Sequence, residues 1–187
     1  MNSLWLGSTT QASSFNGGNT WAVNPLSSNI SGDDRQWISR DFGATWSHVV
    51  RVNNGSSTRT AIQPWVVAGD PGKVNITWLG SSSTNFMDRP ALWQVFLAQS
   101  QNDFASVPSF AQTTVTGVVH VGPVCVNGLG CASGTRTLAE YWAPDAFLDG
   151  NALPVYPDDK NSGLPSGAAR TWFIRQTAGS TIIRTVP

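Results

Sequence analysis

Groups that can move a proton or hold an anion are scarce in this chain, so each one stands out. The 187 residues include one Glu, Glu140, and it is followed directly by Tyr141, one of two tyrosines. A carboxylate and a phenol are residue types that can do acid–base work when they reach one pocket. Their adjacency argues against that here. The stretch reads as a strand, and neighbouring strand side chains point to opposite faces. The expected role of Tyr141 is a half-buried strand residue beside Trp142. Two charged clusters follow, Asp33-Asp34-Arg35 and Asp88-Arg89. Each has the composition of a site wall or of a local ion pair in a loop, and the ion pair is the commoner arrangement. His48 and His120 lie on strand-like stretches with no acid–base partner nearby, which reads as structural.

Cys125 and Cys131 bracket the Gly-rich stretch CVNGLGC. A small disulfide-closed loop is the expected arrangement, with two reduced thiols as the alternative. A disulfide implies an oxidising compartment, hence an extracellular location. Two Cys with no His closer than His120 fall short of a zinc ligand set, so no metal is expected, and no cofactor. Three sequons are present, at Asn29-Ile30-Ser31, Asn54-Gly55-Ser56 and Asn75-Ile76-Thr77. No basic start followed by an apolar core is visible in residues 1–15, so no signal peptide is read there.

The elements that must position these groups are strands. Only 12% of residues are charged and the formal net charge is zero, which excludes the basic stripe of an electrostatic nucleic-acid binder. Nine Trp and an apolar fraction of 40% exclude disorder. No apolar run reaches the ~18 residues of a spanning helix, so no membrane span is expected. Helix-forming Glu and Lys are nearly missing, while Thr, Val and Trp favour strands. A β-hairpin is expected over residues 63–79, with QPWVVA, a four-residue GDPG loop, and KVNITWL placing Val74, Ile76 and Trp78 on one face. Further strands are expected at 2–6, 35–39, 46–52, 91–99, 113–121, 136–142, 152–156, 169–176 and 180–186, all within one domain spanning 1–187.

One motif recurs. Residues 39–46 read SRDFGATW, and residues 14–21 read SFNGGNTW with Asn16 in place of Asp41. The pattern S-x-D-x-G-x-T-W has a folding reason at every position. Gly43 takes a positive φ at little cost. Asp41 accepts hydrogen bonds from turn amides. Ser39 and Thr45 tie the strand ends, and Trp46 buries a large ring against a neighbouring sheet. In the second copy Ser14, Asn16, Gly18, Thr20 and Trp21 stand in the corresponding places.

SRDFGATW resembles the Asp-box, the BNR repeat of sialidases and related β-propellers, and SFNGGNTW resembles a degenerate copy. GDDRQW (32–37), PWVVAGDPGKVNITWLG (64–80), WQVFLAQS (93–100), the Cys125–Cys131 loop and TRTLAEYW to YPDD (135–159) resemble, in order, segments of secreted bacterial sialidase-like Asp-box proteins. The resemblance implies an all-β fold of antiparallel four-stranded blades. The boxes start only 25 residues apart, at Ser14 and Ser39, whereas a four-stranded blade repeats at roughly 40–50. The strands expected make about three blades, short of the four to eight that close a ring. The implied propeller is therefore incomplete or compacted.

Hydrolysis of the sialidase type, as the resemblance implies it, uses three Arg on a carboxylate, a Tyr activated by a Glu, and an Asp as acid/base. The Arg-Ile-Pro motif is absent. Glu140, Tyr141, Arg136 (an Arg that recurs in such proteins) and Asp88 are the catalytic candidates. The expected function is an extracellular module for recognition or scaffolding. The alternatives are an exo-glycosidase and a structural subunit of an extracellular assembly. The expected partners are another copy of the chain, or another chain that completes the fold, with a glycan as candidate ligand.

Overall fold

The computed structural model describes residues 10–13, 22–25, 35–36, 50–126, 128–135, 138, 145–146, 148–161, 163 and 168–183. Within them the chain is all-β and antiparallel. β1 (Thr10–Ser13) pairs with β2 (Ala22–Pro25), and β3 (Arg35–Gln36) with β4 (Val50–Arg51). The central sheet follows, with β5 (Thr60–Ala68), β6 (Val74–Ser81), β7 (Leu92–Ser100), β8 (Ala111–Thr114) and β9 (His120–Val121). β10 (Asp145–Ala146) then pairs with β11 (Ala152–Leu153), and β12 (Val155–Asp158) with β13 (Arg170–Phe173). Two 3-10 turns, Ser56–Thr58 and Gly128–Gly130, are the only helical pieces among the described residues.

The β5–β6 hairpin forms where expected, but its connection is five residues, 69–73, rather than four. Asp70-Pro71-Gly72-Lys73 is the turn itself. The Lys73 N–H donates to the Asp70 carbonyl (2.9 Å), and Gly72 has φ +79°. Pro at the second position and a positive φ at the third are the requirements of a type II turn. Lys73 is held in the connection because its carbonyl accepts from Gly69 N–H. Earlier in β5 the register slips. Ile62 pairs with Leu79 and Trp65 with Thr77, so Gln63 and Pro64 together face one residue. This is a β-bulge. Pro64 has no N–H for the ladder, and Gln63 takes φ +54°.

β6 and β7 carry the core. Val74, Ile76 and Trp78 share a face, as the alternation predicts, and pack with Val52, Ala61, Phe96 and Ala98. The opposite face of β6 is buried too. Leu79 joins Ile62, Trp93, Val95, Val119, Val124, Leu138 and Tyr156 in a second cluster. The sheet is thus covered on both sides. The strand expected at 113–121 is broken in two. β8 pairs with residues 96–99 of β7, and β9 with 92–93. Because β6 occupies the other edge of β7 throughout, β8 and β9 lie end to end on one edge. The sheet is therefore four positions wide. Five residues (115–119) separate β8 from β9 where β7 uses two, and the Thr116 hydroxyl accepts from Val95 N–H (2.9 Å) in place of a backbone carbonyl.

The strand expected at 180–186 is not one where it is described. Residues 182–183 form an irregular clamp. Ile182 N–H donates to the Gly150 carbonyl, and the Ile182 carbonyl accepts from Asp70 N–H at 2.7 Å. Ile182 is fully buried between them.

Candidate functional site

The ten Asp-box residues, together with Arg136, Glu140, Tyr141 and His48, lie outside the described residues. Asp88 is described and sits on an exposed loop after β6. Its partner is not Arg89, as the ion-pair reading expected, but the Ser83 hydroxyl, which donates to it at 2.6 Å. The serine is nearer because residues 83–88 fold back on themselves: Asp88 N–H also reaches the Asn85 carbonyl. Other described carboxylates hold turns in the same way. Asp158 accepts from the backbone and side chain of Asn161, and Asp70 pairs with Lys73. Asp149 accepts from Asn151 N–H and pairs with Arg175. The Asn151 bonds and then Arg175 hold the Asp149 carboxyl below its ordinary value.

Cys125 and Cys131 are bonded to each other, with Cα atoms 5.8 Å apart. The loop they close carries Leu129 into solvent. Among the described residues no helix is long and apolar enough to cross a membrane. Of the three sequons, Asn75 is buried on β6, Asn54 is exposed, and Asn29 lies outside the described residues.

His120 has the acid partner that sequence proximity did not supply. Asp159, 39 residues away, places both carboxylate oxygens at 2.8 and 2.9 Å from Nδ1. An Nδ1 facing a carboxylate carries the proton and donates it. The Nε2 atom is then buried without a partner among the described residues. The pair acts as a latch. The N–H groups of Asp159 and Lys160 both reach the Val119 carbonyl, and Asn161 Nδ2 donates to the Val118 carbonyl. The turn after β12 is thereby bolted to the strand that ends the central sheet.

Tyr156, on β12 three residues before Asp159, is buried in the core cluster. Burial first, and then the negative charge of Asp158, push its phenol above the ordinary value of 10.0. A folded pKa raised above the unfolded one gives stability that is complete below the unfolded value and is lost as pH rises through the folded one. The protein is therefore expected to lose stability above about pH 10, and Tyr156→Phe to flatten that decline. Denaturation midpoints measured across the alkaline range check this. Parallel curves for both proteins would count against it.

The candidate binding site is a groove of about 140 Å³ on the same face of the sheet, beside the cluster that holds Tyr156. Leu97, Gln99 and Thr113 form its floor on β7 and β8, and Pro154, Ile174 and Ala178 its far wall. The shape is set by amides. Gln99 Nε2 donates to Asn75 Oδ1 (2.8 Å) and also contacts Gln176 Oε1 and the Ser180 carbonyl. Gln176 Nε2 donates to the carbonyls of Ala178 and Ser180, while its Oε1 accepts from Ala152 N–H. These amides prop the 174–180 segment off the sheet and have their own partners. What remains open is aliphatic wall. None of the described lining residues ionises, so these side chains can seat an uncharged group.

Sequence reading missed both features. Gln99 and Gln176 are 77 residues apart, and no local pattern marks either. No family model, no curated protein and no solved structure matches the chain.

Proposed function

We propose that the chain is an extracellular, sialidase-like Asp-box β-propeller module whose task is recognition or scaffolding rather than catalysis. The observation that carries this reading is the groove on β7 and β8, which has apolar walls and no ionisable side chain among the described residues. Such a site suits binding. Two features of the strands support the propeller part. Residues 14–21 and 39–46, the two box copies, each fall in the connection of an antiparallel pair, β1 to β2 and β3 to β4. The four-position meander from β5 to β9 has the width of one blade. The bonded Cys125–Cys131 pair supports an oxidising location. The test is a fluorogenic sialoside assay on the purified chain, and no turnover is expected. Turnover abolished by Glu140→Gln would replace this reading with that of an exo-glycosidase.

A second reading, a subunit of an extracellular assembly, is favoured by β13. All four of its residues, Arg170 to Phe173, are exposed, and Phe173 is 70% accessible. Among the described residues its outer edge has no partner strand, and a zero net charge gives little repulsion between copies. Sedimentation at micromolar concentration is expected to give a multiple of the 20.0 kDa chain mass. A single-chain mass would remove this reading and leave the first in place.

A further inference from the structure

We propose that Asn54 is a self-modifying site. Its carboxamide is attacked by the backbone nitrogen of Gly55, and the product releases the edge strand β8. The chemistry needs no enzyme. The Gly55 nitrogen forms a bond to Asn54 Cγ, the Cγ–Nδ2 bond breaks, and ammonia leaves carrying the amide proton. Water then opens the cyclic imide at either carbonyl and gives an aspartyl or an isoaspartyl residue. No electron is gained or lost, and water is the one co-reactant.

Three conditions favour the attack, and all meet at residues 54–55. The carboxamide must be free, the following nitrogen must be unhindered, and the backbone must have room to turn. Asn54 is exposed, and its hydrogen bonds use its main chain alone, so the side chain has no partner among the described residues. Gly55 lacks a side chain, and a Cβ built there would meet nothing within 4 Å. It already stands at φ +83°, a region open to glycine.

Neighbouring asparagines lack one or more of these conditions. Asn53 is buried, and its Nδ2 is held by the Thr58 carbonyl. Asn75 is buried and precedes the β-branched Ile76. Asn102 has its Oδ1 claimed by Ser100 and Ser109. Asn161 has its Nδ2 bonded to Val118 and Asp158.

The consequence follows from Gln112 on β8. Its side-chain amide spans the main chain of residue 54, accepting from Asn54 N–H at 2.8 Å and donating to the Asn54 carbonyl at 3.1 Å. An isoaspartyl linkage routes the main chain through Cβ and Cγ and turns the old Asn54 carbonyl into a free carboxylate, so the nitrogen and the main-chain carbonyl no longer match one amide. β8 pairs with β7 on its inner side, and the Gln112 clasp ties it to the chain before β5. Conversion also places a new negative charge on a chain of zero net charge.

The test is incubation of the folded, disulfide-bonded protein in mildly alkaline buffer, followed by peptide mapping for isoaspartate and hydrogen exchange on the converted fraction. The expected result is isoaspartate at residue 54 ahead of residues 75, 102 and 161. An acidic shift of one charge and faster exchange across Ala111–Thr114 should accompany it. Asn54→Gln, whose longer side chain must close a larger ring, should keep residue 54 intact and β8 protected. Two outcomes overturn the proposal. One is a residue 54 that survives in the folded protein after the urea-unfolded chain has converted there. The other is conversion with β8 protection unchanged.

Discussion

Trp78→Ala lowers the stability of the chain by about 3–5 kcal/mol, the cost of emptying a buried aromatic site that cannot collapse. Trp78 sits at the centre of β6, in the middle of a sheet covered on both faces, and is fully buried. Its ring stacks on Phe96 of β7 with centroids 5.8 Å apart and planes within 8°. The two residues are cross-strand partners, so the backbone register fixes the stack. Its Nε1–H donates to the Thr58 hydroxyl at 2.9 Å, and Thr58 is itself fully buried. Alanine therefore removes three things together: the buried area, the stacking partner of Phe96, and the donor to a hydroxyl that water does not reach. Relaxation is limited, because Gly80 brings the same strand hard against Phe96. A Cβ at Gly80 would lie 2.6 Å from that ring. Trp78→Phe keeps much of the ring and loses the donor, so it is expected to cost less, about 1–3 kcal/mol. The measurement is the denaturant midpoint at constant slope. If alanine proves no more costly than phenylalanine, the stack and the buried area are not what Trp78 provides.

The parts of this fold that were legible in the sequence are those set by neighbours along the chain. Asp-Pro-Gly marks its own turn, because proline sets φ and glycine readily takes the positive φ that follows, although the turn closes on Lys73, one residue beyond the GDPG loop expected. Val74, Ile76 and Trp78 declare a common face by alternation alone. Cys125 and Cys131 are six residues apart with glycines between, so their pairing needs little from the rest of the fold. The misses share another cause. Asn75, Thr77 and Ser81 look like the wet face of β6, yet all three are buried, and Gln99 on the next strand donates to Asn75. That face is buried because the cluster around Leu79 covers it, which the polarity of the three residues does not show. The break between β8 and β9 was hidden for a similar reason. The Thr116 hydroxyl substitutes for a carbonyl, and composition does not distinguish that use from any other. The His120–Asp159 latch and the Gln99–Gln176 prop are each built from two ordinary residues that only the tertiary fold brings together. The candidate groove therefore had no local signature.

The second large effect is expected at Gly150, where two separate penalties fall on one methyl group. Gly150 has φ +75°, a region that costs a residue with a side chain about 1–3 kcal/mol. A Cβ there would also press into the backbone nitrogen and oxygen of Ile183 and come within 2.9 Å of its Cα. Backbone does not step aside as a flexible side chain does, and forced overpacking of this kind costs about 1–3 kcal/mol more. The segment it would push away matters well beyond its length. Residues 182–183 run between Gly150 and the turn of the β5–β6 hairpin, and a Cβ at Gly69 on the far side would likewise run into Ile182. Two glycines thus let the chain pass close on both sides of a fully buried isoleucine. Gly150→Ala must either strain the β10–β11 connection or lift Ile182 out of its site, breaking its bonds to Gly150 and Asp70. The expected loss is about 2–6 kcal/mol, read from the denaturant midpoint. Limited proteolysis separates the two routes, because lifting Ile182 exposes 178–183 to cleavage while the central sheet stays protected. Gly69→Ala isolates the contact term, since Gly69 is not among the glycines at positive φ. If Gly150→Ala left both the midpoint and the cleavage pattern unchanged, the 182–183 segment would not be clamped between these two turns.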